Sequence, residues 1–372
     1  MNGTLSFNIS TSWATSKVNI HAKGKPAPKR SRQVLWKGED PNVFWIWGGR
    51  TIRGINRESL TKDTIWRFTA NREGGGSWSS EIPNDSDDFE SMHLPSRACS
   101  ATYKNIGFSF GGEMFPDSDP DIGAEMQPVQ GMITLDLESR TFSNESMPNV
   151  SPHGTLVGAT AEYIPSFGPN GVIMLLGGYG YTLDVGSRKP EHTRRFNNLT
   201  FFDPESREWY WQMATGDIPR PRLDHCSVGV KSGRDTYEMC VRHSPPLFRL
   251  LCQRRGMANA VHSFLFGGYD PTNSRTYEDL YVLTLPGFEW TRIEATSGGP
   301  RIGQACVATG TRQMLTVGGI NFQKNKPWED KDPFPQGIGV FDMTELKWKD
   351  NYDHEAAAYD SPQPVQSFYA GG

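Results

Sequence analysis

The sequence predicts an all-β protein built from repeats of one small antiparallel sheet, and three observations support this. Apolar strand segments stop at Gly-Gly pairs whose second glycine falls at positions 49, 112, 178, 268, 319 and 372. In four of the repeats, a later strand segment is followed, at a fixed offset, by a large aromatic residue. The 39 glycines and 26 prolines show no period of three, which suits many turns and excludes collagen. Internal repetition of this kind is typical of an architecture that uses the whole chain as repeats.

The clearest repeat lies at residues 263–290. Residues 263–268 form an apolar strand ending in Gly267-Gly268, residues 279–285 form the next strand, and Trp290 follows six residues after Thr284. The same six-residue offset separates three further pairs, Asp136 and Phe142, Asp203 and Trp209, and Asp342 and Trp348. A glycine pair supplies positive φ where backbones crowd, and the aromatic side chain can fill the gap between neighbouring sheets. Sheets of about four strands arrayed radially make a propeller.

This pattern resembles the kelch repeat, a β-propeller repeat of about 50 residues. The Pro-Arg dipeptides at 221–222 and 300–301 stand where kelch repeats open their first strand. The resemblance runs from Leu5 to Gly372, and the chain is similar in particular to fungal kelch ectodomain proteins. It implies a single all-β domain over residues 1–372, a six-bladed kelch-type β-propeller.

Five blades are expected at about residues 25–80, 95–147, 152–215, 220–295 and 300–350. The N-terminal segment has a strand and Trp13 but no Gly-Gly pair before them, whereas the C-terminal segment ends at such a pair. We therefore expect residues 3–20 and 356–372 to close the sixth blade together. The alternative is a truncated chain with an incomplete blade at each end.

Residues 240–262 form an atypical insertion in the fourth unit, because they are basic and lack the repeat pattern. This segment is either a genuine exposed loop or an artefact of a retained intron. Its cysteines, Cys240 and Cys252, could pair if oxidised. The other three, Cys99, Cys226 and Cys306, fall at equivalent places in first strands, so we expect buried, small apolar residues there.

Composition excludes several classes of protein. The net charge of −4 and the pI of about 6.1 give no general attraction to nucleic acid. No run of 18 apolar residues is present, so no membrane span is expected. The N-terminus lacks a signal-peptide pattern, which predicts a cytoplasmic protein if Met1 is the true start. The proteins it resembles are extracellular, so the localisation is left open.

Asn-x-Ser/Thr sequons also point to the outside of the cell. They are possible glycosylation sites, or they occur by chance on loops, and they begin at Asn2, Asn8, Asn84, Asn144, Asn149 and Asn198.

No catalytic residue, metal ligand or cofactor is predicted. The 8 histidines show no HxH or HExxH spacing, and the 5 cysteines include no CxxC pair. No serine nucleophile elbow is present. The sequence therefore argues against an enzyme, although it does not decide the point.

The loops that follow the glycine pairs are the predicted binding face, because loops on a rigid scaffold usually carry binding. Six residues begin these loops: Arg50, Glu113, Tyr179, Tyr269, Asp270 and Asn321. The leading prediction is a monomeric, non-catalytic interaction scaffold for an unknown protein or glycan. The alternative is a kelch-like protein recruited to fungal secondary-metabolite biosynthesis. In that role it would bind a pathway intermediate, as an accessory factor or a pocket-based catalyst.

Overall fold

A computed structural model of the protein describes residues 4–23, 29–51, 64–71, 73–84, 89, 92–123, 125–183, 192–235, 259–295, 298–310, 312–324 and 329–370. The chain divides into two compact units. The first contains Met1–Asn8, Asn19–Ala161 and Gly178–Arg194, and the second contains Ile9–Val18, Glu162–Gly177 and Arg195–Gly372.

The described residues form five antiparallel sheets, each with its strands in chain order, as in the blade of a β-propeller. Blade 1 contains Val34–Lys37, Val43–Trp47, Ile65–Ala70 and Gly76–Glu81. Blade 2 contains Cys99–Tyr103, Ile106–Phe110, Met132–Asp136 and Phe142–Glu145. Both lie in the first unit.

The second unit holds the other three blades, apart from the first two residues of blade 3. Blade 3 contains Thr160–Ile164, Val172–Leu176, Asn198–Phe202 and Trp209–Met213. Blade 4 contains Cys226–Asp235, Asn259–Phe266, Leu280–Leu285 and Glu289–Ile293, and Thr215–Gly216 pairs in parallel with its outer strand. Blade 5 contains Ala305–Thr309, Gln313–Val317, Ile338–Asp342 and Lys347–Lys349.

Short elements connect these sheets. The two-stranded ribbons pair Thr4–Ser6 with His21–Lys23, Trp13–Ala14 with Asn351–Tyr352, Arg30–Ser31 with Arg50–Thr51, Glu113–Met114 with Gln127–Pro128, Tyr179–Gly180 with His192–Thr193, and Tyr269–Asp270 with Arg275–Thr276. A 3-10 turn covers Pro335–Gly337, and an α-helix covers Gln363–Ala370. None of the helices in the described part of the chain is long and apolar enough to span a membrane.

The glycine pairs have a steric cause that blade 2 illustrates. Gly111 and Gly112 have φ of +61° and +110°, a region that favours glycine. A side chain at Gly111 would also collide with the backbone of Leu156. The pair therefore ends the second strand of the blade and lets the chain turn away at a crowded position.

The all-β propeller fold is confirmed, but the prediction of six blades is wrong. Residues expected to complete a sixth blade instead form the helix Gln363–Ala370, whose Val365 is fully buried beside Phe264 and Phe341. Apolar residues at 365, 368 and 369 follow helical spacing, and Pro364 fits the start of a helix but cannot donate to a strand ladder. Gly371 and Gly372 lie outside the described residues.

The N-terminal segment also departs from the predicted blade. Trp13 pairs with Tyr352 just after blade 5, and their rings lie 5.2 Å apart. The hydroxyl of Tyr352 donates to the carbonyl oxygen of Ile9 at 3.1 Å. Trp13 and Ala14 thus pair with residues 351–352 near the C-terminal end, but they form a two-residue ribbon and not a blade.

The expectation that Cys99, Cys226 and Cys306 are merely small apolar residues is wrong for two of them. Cys226 and Cys306 form a disulfide between the first strands of blades 4 and 5. In blades 2 and 4 the cysteine of the first strand lies opposite the residue just before the glycine pair, so Cys99 faces Phe110 and Cys226 faces Phe266. In blade 5 the residue just before the glycine pair is Val317, and Ala305, not Cys306, lies opposite it. Blade 5 has one more residue in its first hairpin turn than blade 2, which shifts Cys306 by one position and so to the opposite face. Cys99 is a free, buried thiol, and Cys240 and Cys252 lie outside the described residues.

Most of the predicted insertion, residues 240–258, also lies outside the described residues. Residues 259–262 belong to the second strand of blade 4, Asn259–Phe266. The interpretation of residues 240–258 as a loop or an artefact therefore stays a prediction.

Candidate binding surface

In the first unit, Arg50 joins the loop after the second strand of blade 1 to the loop after the second strand of blade 2. Its Nε and Nη2 each donate to the carboxylate of Asp117 at 2.9 Å, and its guanidinium lies 3.9 Å from the ring centre of Phe115. The backbone N–H of Thr51 donates to the carbonyl oxygen of Asp117 at 2.7 Å. Both charged side chains stay about a third exposed, at 31% and 37%. The side chain of Arg50 is therefore fixed by its ion pair with Asp117 and is still accessible to solvent.

The other two predicted residues of the first unit are buried. Glu113 is 2% exposed, and both of its carboxylate oxygens accept from Nη1 of Arg97 at 3.1 Å. Tyr179 is 1% exposed, and its backbone pairs with that of Val157. These residues support the base of the loops and do not form part of an exposed surface.

In the second unit, the structure brings together the loops that begin at Tyr269 and Asn321. The ring of Tyr269 lies 6.3 Å from that of Phe322, which is 46% exposed. The side-chain oxygen of Asn321 accepts from the backbone N–H of Gln323 at 3.0 Å, which fixes the turn. The pair of Tyr269 and Phe322 is an aromatic surface that the sequence analysis identified only in part.

Asp270 has an internal role. It is 5% exposed, and its Oδ1 accepts from the backbone N–H groups of Thr272 and Asn273 at 2.8 and 3.3 Å. Its Oδ2 accepts from the side-chain amide of Asn273 at 2.7 Å. A carboxylate occupied by its own turn in this way stabilises the loop.

Three arginines bind the carbonyl oxygen of the first glycine in a glycine pair. Arg30 donates to Gly48 at 3.4 Å, Arg222 to Gly267 at 3.0 Å, and Arg301 to Gly318 at 2.5 Å. Arg222 also pairs with Asp279, and Arg301 pairs with Asp332 at 2.7 Å. The Pro-Arg dipeptides were the sequence signal for Arg222 and Arg301, but their bond to the glycine carbonyl required the fold.

The first unit also contains a cavity that no sequence pattern indicated. Its volume is about 610 Å³, within the range of small-molecule sites. Its lining includes His93, Met114, Phe142, Asn144 and Leu183. His93 lies at its mouth with a half-exposed side chain, and its Nδ1 is 3.2 Å from the buried carboxylate of Asp119. Residues from five separate stretches of sequence meet here, which explains why spacing alone could not find the site.

A second, smaller cavity of about 130 Å³ lies in the second unit beside Asn321. Arg301, Lys324, Asp330 and Asp332 contribute to its lining. The ion pairs Arg301–Asp332 and Lys324–Asp330 have N–O distances of 2.7 and 3.9 Å. Arg301 and Lys324 are therefore each paired with a carboxylate of this loop, and Lys331 also lines the cavity.

Burial displaces the pKa values of several ionisable groups, among them Glu162, His225 and His262. Burial raises the pKa of Glu162 to about 7, although the hydroxyl of Ser263, which donates to it at 2.9 Å, opposes the shift. Burial lowers the pKa of His225 to about 3 and that of His262 to about 4. Nδ1 of His262 lies 2.6 Å from the hydroxyl of Tyr359, which belongs to the segment that leads into the C-terminal helix.

Among the described residues, no group of three or more His, Cys, Asp or Glu side chains is placed to hold a metal ion.

The structure describes five of the six sequon asparagines, and Asn2 lies outside the described residues. Asn8, Asn84, Asn144, Asn149 and Asn198 are all exposed. The side-chain amide of Asn84 donates to the carbonyl oxygen of Ser139, and Ser151, the third residue of the sequon at Asn149, is buried. Asn198 opens the third strand of blade 3.

The resemblance to kelch-repeat proteins is confirmed by comparison with known proteins. A kelch repeat-containing protein of Arthroderma benhamiae is 27% identical over 199 residues, which are 51% of this chain and 24% of that protein. The Rho GTPase-activating protein gacHH of Dictyostelium discoideum is 28% identical over 166 residues, which are 42% of this chain and 8% of that protein. The chain thus matches about a quarter or less of the length of these relatives. No family model matches the chain.

Proposed function

We propose that this chain is a non-catalytic scaffold that binds a protein partner through the loops that follow the second strands of its blades. The kelch-repeat homologue and the propeller blades favour an interaction role at the level of the fold. Fold alone does not give function, so the proposal also depends on the loops themselves.

One observation carries the proposal. The loops are held by buried or partly buried ion pairs, while a side chain of each loop stays accessible. In the first unit Asp117 holds Arg50, and Arg50 keeps about a third of its side-chain surface exposed. In the second unit Arg301 holds Asp332 at the base of the loop, and Phe322 on the same loop is 46% exposed. A side chain presented by a fixed loop loses little conformational entropy on binding, which favours recognition of a partner.

Phe322 and Tyr269 are the residues best suited to anchor a partner in the second unit. Exposed aromatic side chains are enriched at the centres of protein–protein interfaces, where they contribute much of the binding energy. Arg50 offers the corresponding accessible cation in the first unit. Monomeric state, and the choice between a protein and a glycan, stay predictions from the sequence.

The test is affinity capture of the tagged chain from cells that naturally express it, with partner recovery measured by quantitative mass spectrometry. Phe322→Ala should lower about tenfold the recovery of a partner bound by the second unit, and Arg50→Ala that of a partner bound by the first unit, as the loss of an anchor residue does. Arg292→Ala is the matched control, because the side chain of Arg292 is 54% exposed on an outer strand and is ion-paired with the exposed Glu294 at 3.5 Å. Equal recovery with all three variants would contradict binding through the loops.

The alternative of a role in small-molecule biosynthesis gains no support from the comparisons. The cavity beside His93 has a suitable volume, but among the described residues no group of three or more His, Cys, Asp or Glu side chains is placed to hold a metal ion there. Metabolite profiling of a deletion strain beside its parent distinguishes the two roles, because a scaffold that acts elsewhere should leave the metabolite profile unchanged.

A further inference from the structure

The outer edge of blade 3 exposes an apolar surface that nothing in the described chain covers. Trp211 is 56% exposed and Met213 is 54% exposed, both on the fourth strand of the blade. Residues two apart in a strand lie on the same face, so these two side chains form one patch. Large exposed apolar side chains that lie together usually mark a surface with a binding partner or a cover.

The sheet register brings the sequon at Asn198 to this patch. Asn198 lies opposite Met213, and Thr200 lies opposite Trp211. Residues directly opposite in an antiparallel pair share a face, with Cβ atoms roughly 5 Å apart, and diagonal neighbours are roughly 7 Å apart. Asn198, Trp211 and Met213 are the exposed residues of this face, and the sequon residue Thr200 lies on the same face but is buried, at 7% exposure.

The opposite face of the same hairpin is committed to the protein core. Leu199 and Phe201 belong to the buried cluster that also contains Leu283 and Trp290 of blade 4, and Tyr210 packs against it. Asn198 itself is exposed. On the face of the patch, Phe202 is also buried, so the exposed part of this face is the end that holds Asn198, Trp211 and Met213, where an added group has room.

The disulfide supplies an independent reason to place this chain where asparagine glycosylation occurs. Cys226 and Cys306 are bonded to each other, and disulfides persist in oxidising compartments such as the secretory pathway. Glycosylation of Asn-x-Ser/Thr sequons takes place on proteins that enter this pathway.

We propose that Asn198 carries an N-linked glycan whose first sugar rings pack on Trp211 and Met213. Nδ2 of Asn198 forms a bond to C1 of an N-acetylglucosamine donated by a lipid-diphosphate oligosaccharide. The bond from C1 to the diphosphate oxygen breaks, the lipid diphosphate leaves with its electron pair, and one amide proton is released to a base. A sugar ring presents C–H groups on its face, which the negative face of the Trp211 ring attracts. The glycan is thereby both a modification and the cover of the exposed patch.

The sequons at the other described positions do not share this arrangement. The amide of Asn84 is bonded within the protein, and Asn144 lies opposite Ile133, which is 3% exposed. Asn198 is the sequon whose opposite strand carries both Trp211 and Met213, so packing of a glycan is expected at this position.

The experiment uses the full chain expressed in a eukaryotic secretory host, with and without enzymatic removal of N-glycans from the folded protein. Peptide mass spectrometry should find Asn198 occupied. Dilute peroxide should oxidise Met213 about threefold more slowly in the glycosylated protein, because burial protects a thioether from oxidation. Asn144→Gln is the matched control, and it should leave the oxidation rate of Met213 unchanged.

A second variant separates packing from simple attachment. Glycan removal should lower the Tm of the otherwise unchanged protein by a few degrees, since it re-exposes an apolar surface. In Trp211→Ser the same treatment should leave the Tm unchanged, while Asn198 stays occupied. An unmodified Asn198 in the secreted protein would overturn the proposal. Equal oxidation of Met213 in the two forms, or an equal Tm shift in the two proteins, would also overturn it.

Discussion

Nη1 of Arg222 donates a hydrogen bond to the carbonyl oxygen of Gly267 at 3.0 Å, and the same guanidinium pairs with Asp279. Arg222 is fully buried, and its guanidinium also lies 4.0 Å from the ring centre of Tyr277. The glycine pair turns sharply and leaves a buried carbonyl that needs a donor. Arg301 and Gly318 repeat the relationship in blade 5. The arginine therefore joins the loop before a blade to the glycine turn within it.

Replacing Arg222 with Met should lower the free energy of unfolding by about 3–5 kcal/mol, because it leaves Asp279 and the Gly267 carbonyl without their buried partner. Denaturant unfolding followed by fluorescence measures the loss. The control is Arg292→Met, which removes an exposed ion pair and should cost less than about 1 kcal/mol. Similar losses in the two variants would show that the buried arginine has no special role.

Glu162 should make stability depend on pH in the direction opposite to that of a paired carboxylate. Its side chain lies against Gly229 and accepts from Ser263, and burial raises its pKa from 4.5 to about 7. Below pH 4.5 the carboxyl is protonated in both the folded and unfolded states and has no effect on stability. Between pH 4.5 and 7 the unfolded state ionises first, so stability falls by up to about 3 kcal/mol.

Glu162→Gln should remove this loss, since the amide oxygen can still accept from Ser263 but cannot ionise. Unfolding measured at pH 5 and pH 8 should show that the variant gains stability over the unchanged protein mainly at pH 8. Glu294→Gln, an exposed position just after the outer strand of blade 4, should leave the difference between the two pH values as it is. A variant that is less stable at both pH values would contradict the assignment.

The disulfide between Cys226 and Cys306 should be detectable and stabilising. The two cysteines are 80 residues apart, so the bond closes a long loop in the unfolded chain and should contribute about 2–5 kcal/mol. Non-reducing peptide mapping should recover the two cysteine peptides as one linked species, and a reductant should lower the Tm. Cys99→Ala is the control, because the free thiol of Cys99 should not change the linked species. Free thiols at 226 and 306 in the folded protein would contradict the pairing.

The blade pattern could be predicted from the sequence because the apolar strands and the glycine pairs that end them are local sequence signals. An apolar run such as Val172–Leu176 is buried along its whole length, and a glycine pair with positive φ ends it. The prediction of a sixth blade was wrong for a local reason as well. Phe368, Tyr369 and the final glycines imitate the strand pattern, whereas Pro364 and the helical spacing of Val365, Phe368 and Tyr369 determine the structure.

The disulfide and the binding surface could not be predicted in the same way. Cys306 reaches Cys226 because one extra residue in a hairpin turn changes the strand register, and sequence spacing does not reveal on which face a cysteine lies. Of the predicted loop residues, Glu113, Tyr179 and Asp270 are buried, while Phe322 was missed. A residue's position after a glycine pair identifies the loop, but packing decides which of its side chains reach solvent.

The central claim is that partners bind the loops that follow the second strands, and cross-linking with a lysine-reactive reagent tests it most directly. Lys324 lies in such a loop and lines the cavity beside Asn321, as does Lys331, whereas Lys347 is exposed on the outer strand of blade 5. In a complex captured from cells, we predict that intermolecular cross-links form from Lys324 and Lys331 and are rare from Lys347. Cross-links concentrated at Lys347, with Lys324 and Lys331 unmodified by the partner, would contradict binding through the loops.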